Sequence, residues 1–516
     1  MNRLMRMSIA LVVLSLLCGC ALLHLRKDNA FSKNNCLITG NIYAAQRVHK
    51  PILVVAFRTD DRLTVAHHTV LHESGPYVLL VPRGTYRVFA FEDKNQNLVL
   101  DQDELAGVAL GDEADFTIDA RPGGWVDSMV IILSRNQAAS YNLPADILAR
   151  NAAGTFSWRS TQPGAIMDLD DPAFGAEQGV RGFWSPLEFF RDFGANIYFL
   201  EPYDPQKIPV LLVHGAAGSP QDWRYFIRNL NRSRYQPWIY YYPSGARLKA
   251  SAELLGMAIS ELHRKYNFEN LYVTAHSMGG HVARYTLAHS SVHREYTRLF
   301  VSISTPFGGE ELAGAGVKNS PAVIPSWKDM TPDSDFIKFS FSREMPPTIK
   351  HYLFFGHRGG RNPLRPNNDT TVTLASMLDA RAQADALKVL GFNEDHVGIL
   401  NSADVLSQYK KILESVDQEI AAAARQNPKG KIRFRYVLKE QSDVGPLWMI
   451  LMAVSADKNA AVFRWFPDPL KPVQEMGPIP AGAYEIGLFA WGYKADPRTV
   501  RTDVSADRVA DVALSM

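Results

Sequence analysis

Residues 271–288 constrain the fold more than any other stretch of the chain. Leu271-Tyr272-Val273-Thr274-Ala275 is a short apolar run with strand character, and Val282 to Ala288 is an apolar run of helical length. Between them lies Ala275-His276-Ser277-Met278-Gly279-Gly280. A strand that turns into a helix within so few residues needs small side chains around its serine, and Ala275 and Gly279 supply them. Such a turn lifts Ser277 out of the backbone path and sets it at a helix N-terminus, where peptide dipoles favour developing negative charge.

The surrounding sequence keeps the same rhythm of strand and helix. Ile208 to Val213 reads as a buried strand, and Ser219-Pro220-Gln221-Asp222 then supplies an N-cap, a first-turn proline and an acid three residues on. Ala246 to Tyr266 places Leu248, Leu255, Ile259 and Leu262 on one helical face. Tyr352 to Gly356 is a late strand, and Ser402 to Arg425 reads as a closing helix. This alternation predicts a mostly parallel sheet with crossover helices over residues 145–425.

His214-Gly215-Ala216 directly follows the strand at Ile208 to Val213. With the serine turn, it resembles the lipase and esterase branch of the α/β-hydrolase superfamily. The resemblance extends through Ser304-Thr305-Pro306-Phe307-Gly308-Gly309 and Ile324 to Met330, and spans residues 200–400. It implies an oxyanion hole made by the N–H groups of Ala216 and Met278, with His214 shaping the loop. It also implies a triad in the chain order Ser, acid, His. Asp369, in Asn367-Asn368-Asp369-Thr370-Thr371-Val372, follows the late strand, and His396, in Asp395-His396-Val397-Gly398, precedes the closing helix. Ser277 is then the nucleophile, His396 the general base and acid, and Asp369 the group that orients the imidazole.

Rival acids are Glu394 and Asp395 beside His396, Asp379, Asp329, Asp333 and Asp335; rival histidines are His276, His281, His351 and His357. Residues 308–345 are rich in Gly, Pro, Ser and aromatics, which suits a cap over the site, either a mobile lid or a static part of the core. The aromatic clusters Phe183-Trp184, Phe189-Phe190 and Trp238 to Tyr242 suit core packing better than an acyl pocket.

Both flanks read differently. Residues 36–135 and 430–516 carry short apolar strands separated by Gly, Pro, Asp and Asn, which predicts two small all-β, sandwich-like domains. They share Pro82-x-Gly84-x-Tyr86 and Pro480-x-Gly482-x-Tyr484, each leading into a strand. This signature resembles transthyretin-like or carboxypeptidase-regulatory-like sandwiches. The first flank also holds Asp93, Asn95, Asn97, Asp101 and Glu104 at the ligand spacing of a calcium loop, although Leu98 stands where a glycine is expected. Ca2+ and an acidic solvated hairpin are both open readings there.

The N-terminus reads as an address. Arg3 and Arg6 precede the apolar run Ile9 to Leu17, so residues 1–19 have the form of a signal peptide. Leu17-Cys18-Gly19-Cys20 resembles the bacterial lipoprotein box, which implies lipid attached to Cys20 and a tether over residues 20–35. Ala21 after the cysteine resembles outer-membrane sorting in Gram-negative lipoproteins. Loss of the leader removes two arginines and no acid from a chain of net charge +2, leaving formal neutrality. A nucleic-acid partner held by a basic surface is therefore not expected. Of three cysteines only Cys36 remains for the interior, which excludes a disulfide framework. No CxxC or HExxH is present, and acyl transfer of this type requires no cofactor.

These readings converge on a lipid-anchored serine hydrolase of the cell envelope. It would cleave carboxylic esters, lipid or acyl, with the membrane as a partner through the N-terminal lipid. An acyltransferase with the same triad and an inactive binding scaffold are the alternatives.

Overall fold

The computed structural model describes residues 25–515 apart from 31–32, 45–47, 49–50, 60–63, 111–115, 135–145, 147–155, 160–161, 290–295, 360–366, 427–428, 438–448, 457–461, 466–472, 491–498 and 507. The expected leader and Cys20 lie outside the described residues. The chain divides into two compact units: 161–413 together with the N-terminal stretch through Asn34, and 35–160 together with 414–516.

Following the chain, the first block of the second unit is all-β. β1 (Asn35–Ala44), β2 (Ile52–Arg58), β3 (Val65–Leu71), β4 (Pro76–Pro82), β5 (Gly84–Glu92), β6 (Ala106–Leu110), β7 (Ile118–Ala120) and β8 (Trp125–Leu133) are joined by β9 (Phe156–Arg159). The order is β4-β1-β8-β6-β5-β2-β3-β9, with β7 on β5. Ile38, Ile42, Leu79 and Ile131 face Ile52, Val54, Val88 and Ala90 across one core. On β2 and β5 these positions alternate with Leu53, Val55, Phe89 and Phe91, which are buried in a second core on the other face, and that alternation sets the register. β9 corrects the predicted boundary. Residues 156–159, placed by sequence in the middle block, pair in parallel with β3.

The loop with calcium-type spacing is closed on its own groups. Asp93 accepts from the N–H groups of Asn97 and Leu98, and Glu104 from those of Lys94 and Asp101. Asn95 and Asn97 both donate to Asp101. Among the described residues, no group of three or more His, Cys, Asp or Glu side chains is arranged to hold a metal ion.

The other unit is built on β10 (Ala165–Ile166), β11 (Asn196–Phe199), β12 (Ile208–Val213), β13 (Tyr235–Tyr241), β14 (Leu271–His276), β15 (Thr297–Ile303), β16 (Lys350–Gly356) and β17 (Lys388–Phe392). Their order is β10-β11-β13-β12-β14-β15-β16-β17. Neighbours from β13 to β17 are parallel, and β11 runs antiparallel to β13. Every residue of β12 and β14 is buried. That is why these strands read as unbroken apolar runs: helices cover both faces of a parallel sheet.

The helices are α1 (Ala176–Trp184), α2 (Pro186–Phe193), α3 (Arg224–Asn229), α4 (Leu248–Tyr266), α5 (Met278–His289), α6 (Glu311–Asn319), α7 (Pro325–Met330), α8 (Asp335–Ser340), α9 (Leu374–Met377), α10 (Ala380–Asp385) and α11 (Ala403–Gln426). α4 buries Leu248, Leu255, Ile259 and Leu262, as the periodicity predicts. It stops at Asn267, whose φ of 48° is the left-handed C-terminal turn that asparagine tolerates.

Residues 308–345 are not an irregular loop. They form α6, α7 and α8, and Ala313, Met330, Phe336, Ile337 and Met345 belong to the same apolar core as α4 and α5. The buried Arg284 of α5 pins the segment. It pairs with Asp385, donates to the carbonyls of Ser340 and Arg343, and lies 3.7 Å from the ring centre of Phe341. The aromatic clusters also pack internally: Trp238, Tyr240 and Tyr242 join that core, and Phe189 and Tyr241 join a second one.

The expected tether differs as well. Residues 25–30 are helical, and Leu25 is buried with Ala322 and Ile324.

The C-terminal block repeats the first block's pairing. β18 (Lys429–Val437) lies between antiparallel β21 (Val473–Pro480) and parallel β24 (Val509–Ser515), as β1 lies between β4 and β8. β19 (Met449–Ser455) lies between β20 (Val462–Trp465) and β22 (Gly482–Ala490), as β2 lies between β3 and β5. β23 (Val500–Val504) pairs with β22 as β7 does with β5. The shared Pro-x-Gly-x-Tyr turn has the same bond in both copies. The Tyr86 hydroxyl donates to the Pro82 carbonyl at 2.8 Å, and that of Tyr484 to Pro480 at 2.9 Å.

Candidate active site

Strand order places the site before any side chain is considered. The chain leaves β12 for β13 on one side and then crosses to β14 on the other. In an open parallel sheet, the crevice at the carboxyl ends where the order reverses is the usual ligand site. Val213 and Ala275 are register partners at the ends of β12 and β14, so His214-Gly215-Ala216 and Ser277 emerge side by side there.

Ser277 has φ 51°, the strained backbone of the tight turn. Its N–H donates to the Ile303 carbonyl of the next strand at 2.8 Å, which fixes the turn to the sheet. Of the small residues predicted around it, Gly279 is sterically required, and so is Gly215 in the facing loop. A Cβ on Gly279 would fall 2.4 Å from the His214 carbonyl oxygen, and one on Gly215 would fall 2.9 Å from the Ser277 Cβ. The loop carrying Ala216 therefore lies directly against Ser277. Ala216 is exposed, and Met278 opens α5.

Behind that loop, the buried His214 stacks on Tyr242. Tyr242 donates its N–H to the His214 Nε2 at 3.4 Å and its hydroxyl to the His214 carbonyl at 3.0 Å. Nδ1–H then donates to the Gly215 carbonyl at 2.9 Å. Burial pushes His214 down to about 4, so it is a neutral strut. The Ala217 N–H donates to Ser244 Oγ at 2.9 Å. Ser244 had no signal in the sequence.

The structure brings Ser277, His396 and Asp369 together from three separate strand ends. His396 Nε2 lies 2.9 Å from Ser277 Oγ, and His396 Nδ1 lies 2.6 Å from Asp369 Oδ2. A carboxylate only accepts, so the ring proton sits on Nδ1 and Nε2 is left to accept from the serine hydroxyl. The other carboxylate oxygen accepts from the N–H groups of Val372 at 2.7 Å and Thr371 at 3.1 Å. Burial opposes ionisation of Asp369. The hydrogen bond from His396 and those two N–H groups outweigh burial and hold the carboxyl below its ordinary range. The backbone closes the arrangement, with the His396 N–H on the Asp369 carbonyl at 2.7 Å.

The rival residues are occupied elsewhere. Asp395 accepts from Gly398 and Arg358, Glu394 pairs with Arg358, Asp379 caps α10 and holds Arg381, and Asp329 holds Arg247. Asp335 lies in the first turn of α8, Asp333 precedes it at φ 60°, and His357 follows β16. His281 bonds to the Pro306 carbonyl and His351 to Ser302. His276 is different: its Nε2 lies 2.8 Å from the His396 carbonyl, and burial holds it down to about 3. A neutral His276 thus donates to the loop that carries His396. Sequence alone placed it beside the turn without that role.

Residues 243–378 match a family model described as an alpha/beta hydrolase of unknown function. The 161–413 unit has the α/β-hydrolase fold. Among solved structures, the chain is similar to a Bacillus licheniformis lipase in mature form, at 18% identity over 42% of this chain and 94% of that one, TM-score 0.34. A Listeria innocua gene product matches at 17% identity over 40% and 94%, TM-score 0.32. A Legionella pneumophila phospholipase matches at 12% identity over 60% and 93%, TM-score 0.30. No curated protein matches the sequence.

Proposed function

We propose that this protein is an α/β hydrolase, a serine hydrolase of carboxylic esters, lipid or acyl, held in the bacterial cell envelope by lipid on Cys20. One observation carries the catalytic part: the unbroken chain Ser277–His396–Asp369, at 2.9 and 2.6 Å. Ser277 Oγ attacks the ester carbonyl as His396 Nε2 takes its proton, and Asp369 stabilises the imidazolium that forms. The N–H groups of Ala216 and Met278 receive the negative oxygen. The C–O bond breaks, His396 returns the proton to the departing alkoxide, and an acyl-Ser277 ester remains. Water, deprotonated by the same histidine, attacks that ester; the acid leaves and Ser277 regains its proton.

A chain-length series of aryl esters tests this reading together with a serine-directed phosphonate probe. The expected result is activity that Ser277→Ala lowers on the order of 10⁴-fold or more, with probe label on Ser277. Absence of both activity and label at every chain length would refute it. For the anchor, no helix among the described residues is long and apolar enough to cross a membrane. Cys20→Ala is expected to leave the membrane fraction; unchanged fractionation would remove the anchor from the proposal.

A further inference from the structure

The segment just after Cys20 is bound to the hydrolase unit at a particular place. Leu25 is wholly buried, packed on Ala322 and Ile324 with Phe183, Trp184 and Trp327 around them. The buried Asp28 accepts from the Leu187 N–H at 3.0 Å, in the first turn of α2. Asn29 donates to the Val323 carbonyl at 2.8 Å, and the Arg26 guanidinium to that of Pro321. An apolar plug and three polar contacts thus strap residues 25–30 across α2 and the lead into α7.

α7 itself and α1, the helix just before α2, are tied to the loop that follows β13. The Ser326 N–H donates to the Gly245 carbonyl, and the Gly245 N–H to that of Gly182, each at 3.0 Å. Because β12 to β17 are parallel, the loop after β13 opens at the same sheet edge as Ser277, Ala216 and His396. Large apolar side chains are also exposed at that edge. Val397, next to His396, is 65% exposed, and Leu312, in the helix after the 304–309 loop, is 61% exposed. Val180 is 48% exposed, and its neighbour Gly179 abuts Ala217 and Gly218.

We infer that residues 25–30 are a strap that holds the catalytic edge of the hydrolase unit against the lipid layer, so that the enzyme takes membrane-dissolved acyl esters as substrate. The inference rests on the reading of Ser277 and Cys20 given above. Leu25 lies five positions after Cys20. An extended chain of that length spans at most about 17 Å, which leaves the lipid little room to wander from the edge where the strap is docked. Val180, Leu312 and Val397 then meet acyl chains rather than water, and burying them there favours this orientation.

The test separates leash from site. A 20-residue Gly/Ser insertion between Ala21 and Leu22 keeps the lipid and the strap, but lengthens the leash from an r.m.s. of about 12 Å to about 27 Å and frees the domain to turn. Protein is reconstituted through its lipid into phosphatidylethanolamine–phosphatidylglycerol vesicles. It is assayed with aryl butyrate in water and with aryl palmitate dissolved in the vesicles. The insertion is expected to leave butyrate hydrolysis within twofold and to lower palmitate hydrolysis about fivefold or more. The double variant Leu25→Ser/Asp28→Ala, which loosens the strap, is expected to do the same. An insertion variant that cleaves vesicle palmitate at the parental rate overturns the inference. A parent that is inert and unlabelled with butyrate overturns the Ser277 reading instead. A Cys20→Ala protein that still sediments with vesicles overturns the anchor.

Discussion

Asp369→Asn separates the proposed proton path from mere proximity. In the parent, one carboxylate oxygen is held by the N–H groups of Val372 and Thr371, at 2.7 and 3.1 Å, and the other faces His396 Nδ1 at 2.6 Å. An asparagine keeps its carbonyl oxygen on those two N–H groups and so turns its NH₂ toward Nδ1. The opposite orientation would set an NH₂ against two N–H donors and forfeit two buried hydrogen bonds, at about 1–3 kcal/mol each. Facing a donor, Nδ1 gives up its proton and the ring carries it on Nε2, 2.9 Å from Ser277 Oγ. The histidine then points a proton at the nucleophile instead of a lone pair. In a serine-protease triad the same change of tautomer costs about 10⁴ in kcat, which corresponds to about 5.5 kcal/mol.

The assay is kcat for a soluble aryl ester, alongside the thermal midpoint to show that the fold survives. A 10³- to 10⁴-fold loss is expected. The control is Asp395→Asn, whose carboxylate serves Gly398 and Arg358 and touches neither reacting group; less than a tenfold change is expected there. If Asp369→Asn keeps kcat within tenfold of the parent, or if Asp395→Asn is the inactive variant, the assignment of the orienting acid is wrong.

Other perturbations follow from the same geometry. Gly215→Ala forces a methyl to 2.9 Å from the Ser277 Cβ and 3.3 Å from His276 Nδ1, so the loop must move off the serine; kcat is expected to fall about 100-fold, and parental kinetics would show the loop to be slack. Arg284→Met removes one partner of a buried ion pair and strands the carbonyls of Ser340 and Arg343; urea unfolding is expected to report a loss of about 3–5 kcal/mol, and a loss under 1 kcal/mol would mean the 308–345 segment does not depend on it. Stability is expected to fall steeply in acid. Burial holds His214 and His281 at about 4 and His276 and His351 at about 3, whereas the unfolded chain titrates them near 6.5. Below 6.5 the unfolded state therefore binds more protons, so their contribution is whole above that pH and is lost as pH falls toward the folded values. The slope approaches about 5 kcal/mol per pH unit for four such groups, and a urea midpoint that stays flat from pH 6 to 4 would refute it.

What the sequence disclosed follows from the range of the forces involved. The Ser277 turn was legible because its steric constraint dictates residue type within a few positions: Ser277 takes a φ of 51° and Gly279 has no room for a Cβ. Asp369 and His396 were legible through their order along the chain and the strands preceding them. His276 was not, because its bond reaches a carbonyl 120 residues away and any histidine beside the turn reads the same. Residues 21–35 read as a tether because their composition is polar. One buried leucine and one capping aspartate were enough to dock part of it, and Asp28 meets its partner 159 residues along. The calcium-type spacing also failed to discriminate. Carboxylates at positions that can ring a cation can equally close a hairpin on its own N–H groups, as Asp93 and Glu104 do.

The Pro-x-Gly-x-Tyr turn shows how far a five-residue signal reaches when each residue has a fixed task. The proline ends one strand, the glycine opens the next, and the tyrosine hydroxyl returns to the proline carbonyl at nearly the same distance in both copies. That bond fixes where β5 and β22 begin, and their alternation then sends Val88 and Ala90, or Ile486 and Leu488, into the respective cores. The turn therefore helps to set a register, and the two blocks that share it repeat the same strand pairing. Divergence is free only where it leaves this register untouched. Between β5 and β7 the first copy runs from Glu92 to Ile118 and includes β6 and the Asp93–Glu104 hairpin, whereas between the matching β22 and β23 the second runs only from Ala490 to Val500. A distinct role for the first copy is therefore to be sought in that insertion, since the framework around it is shared.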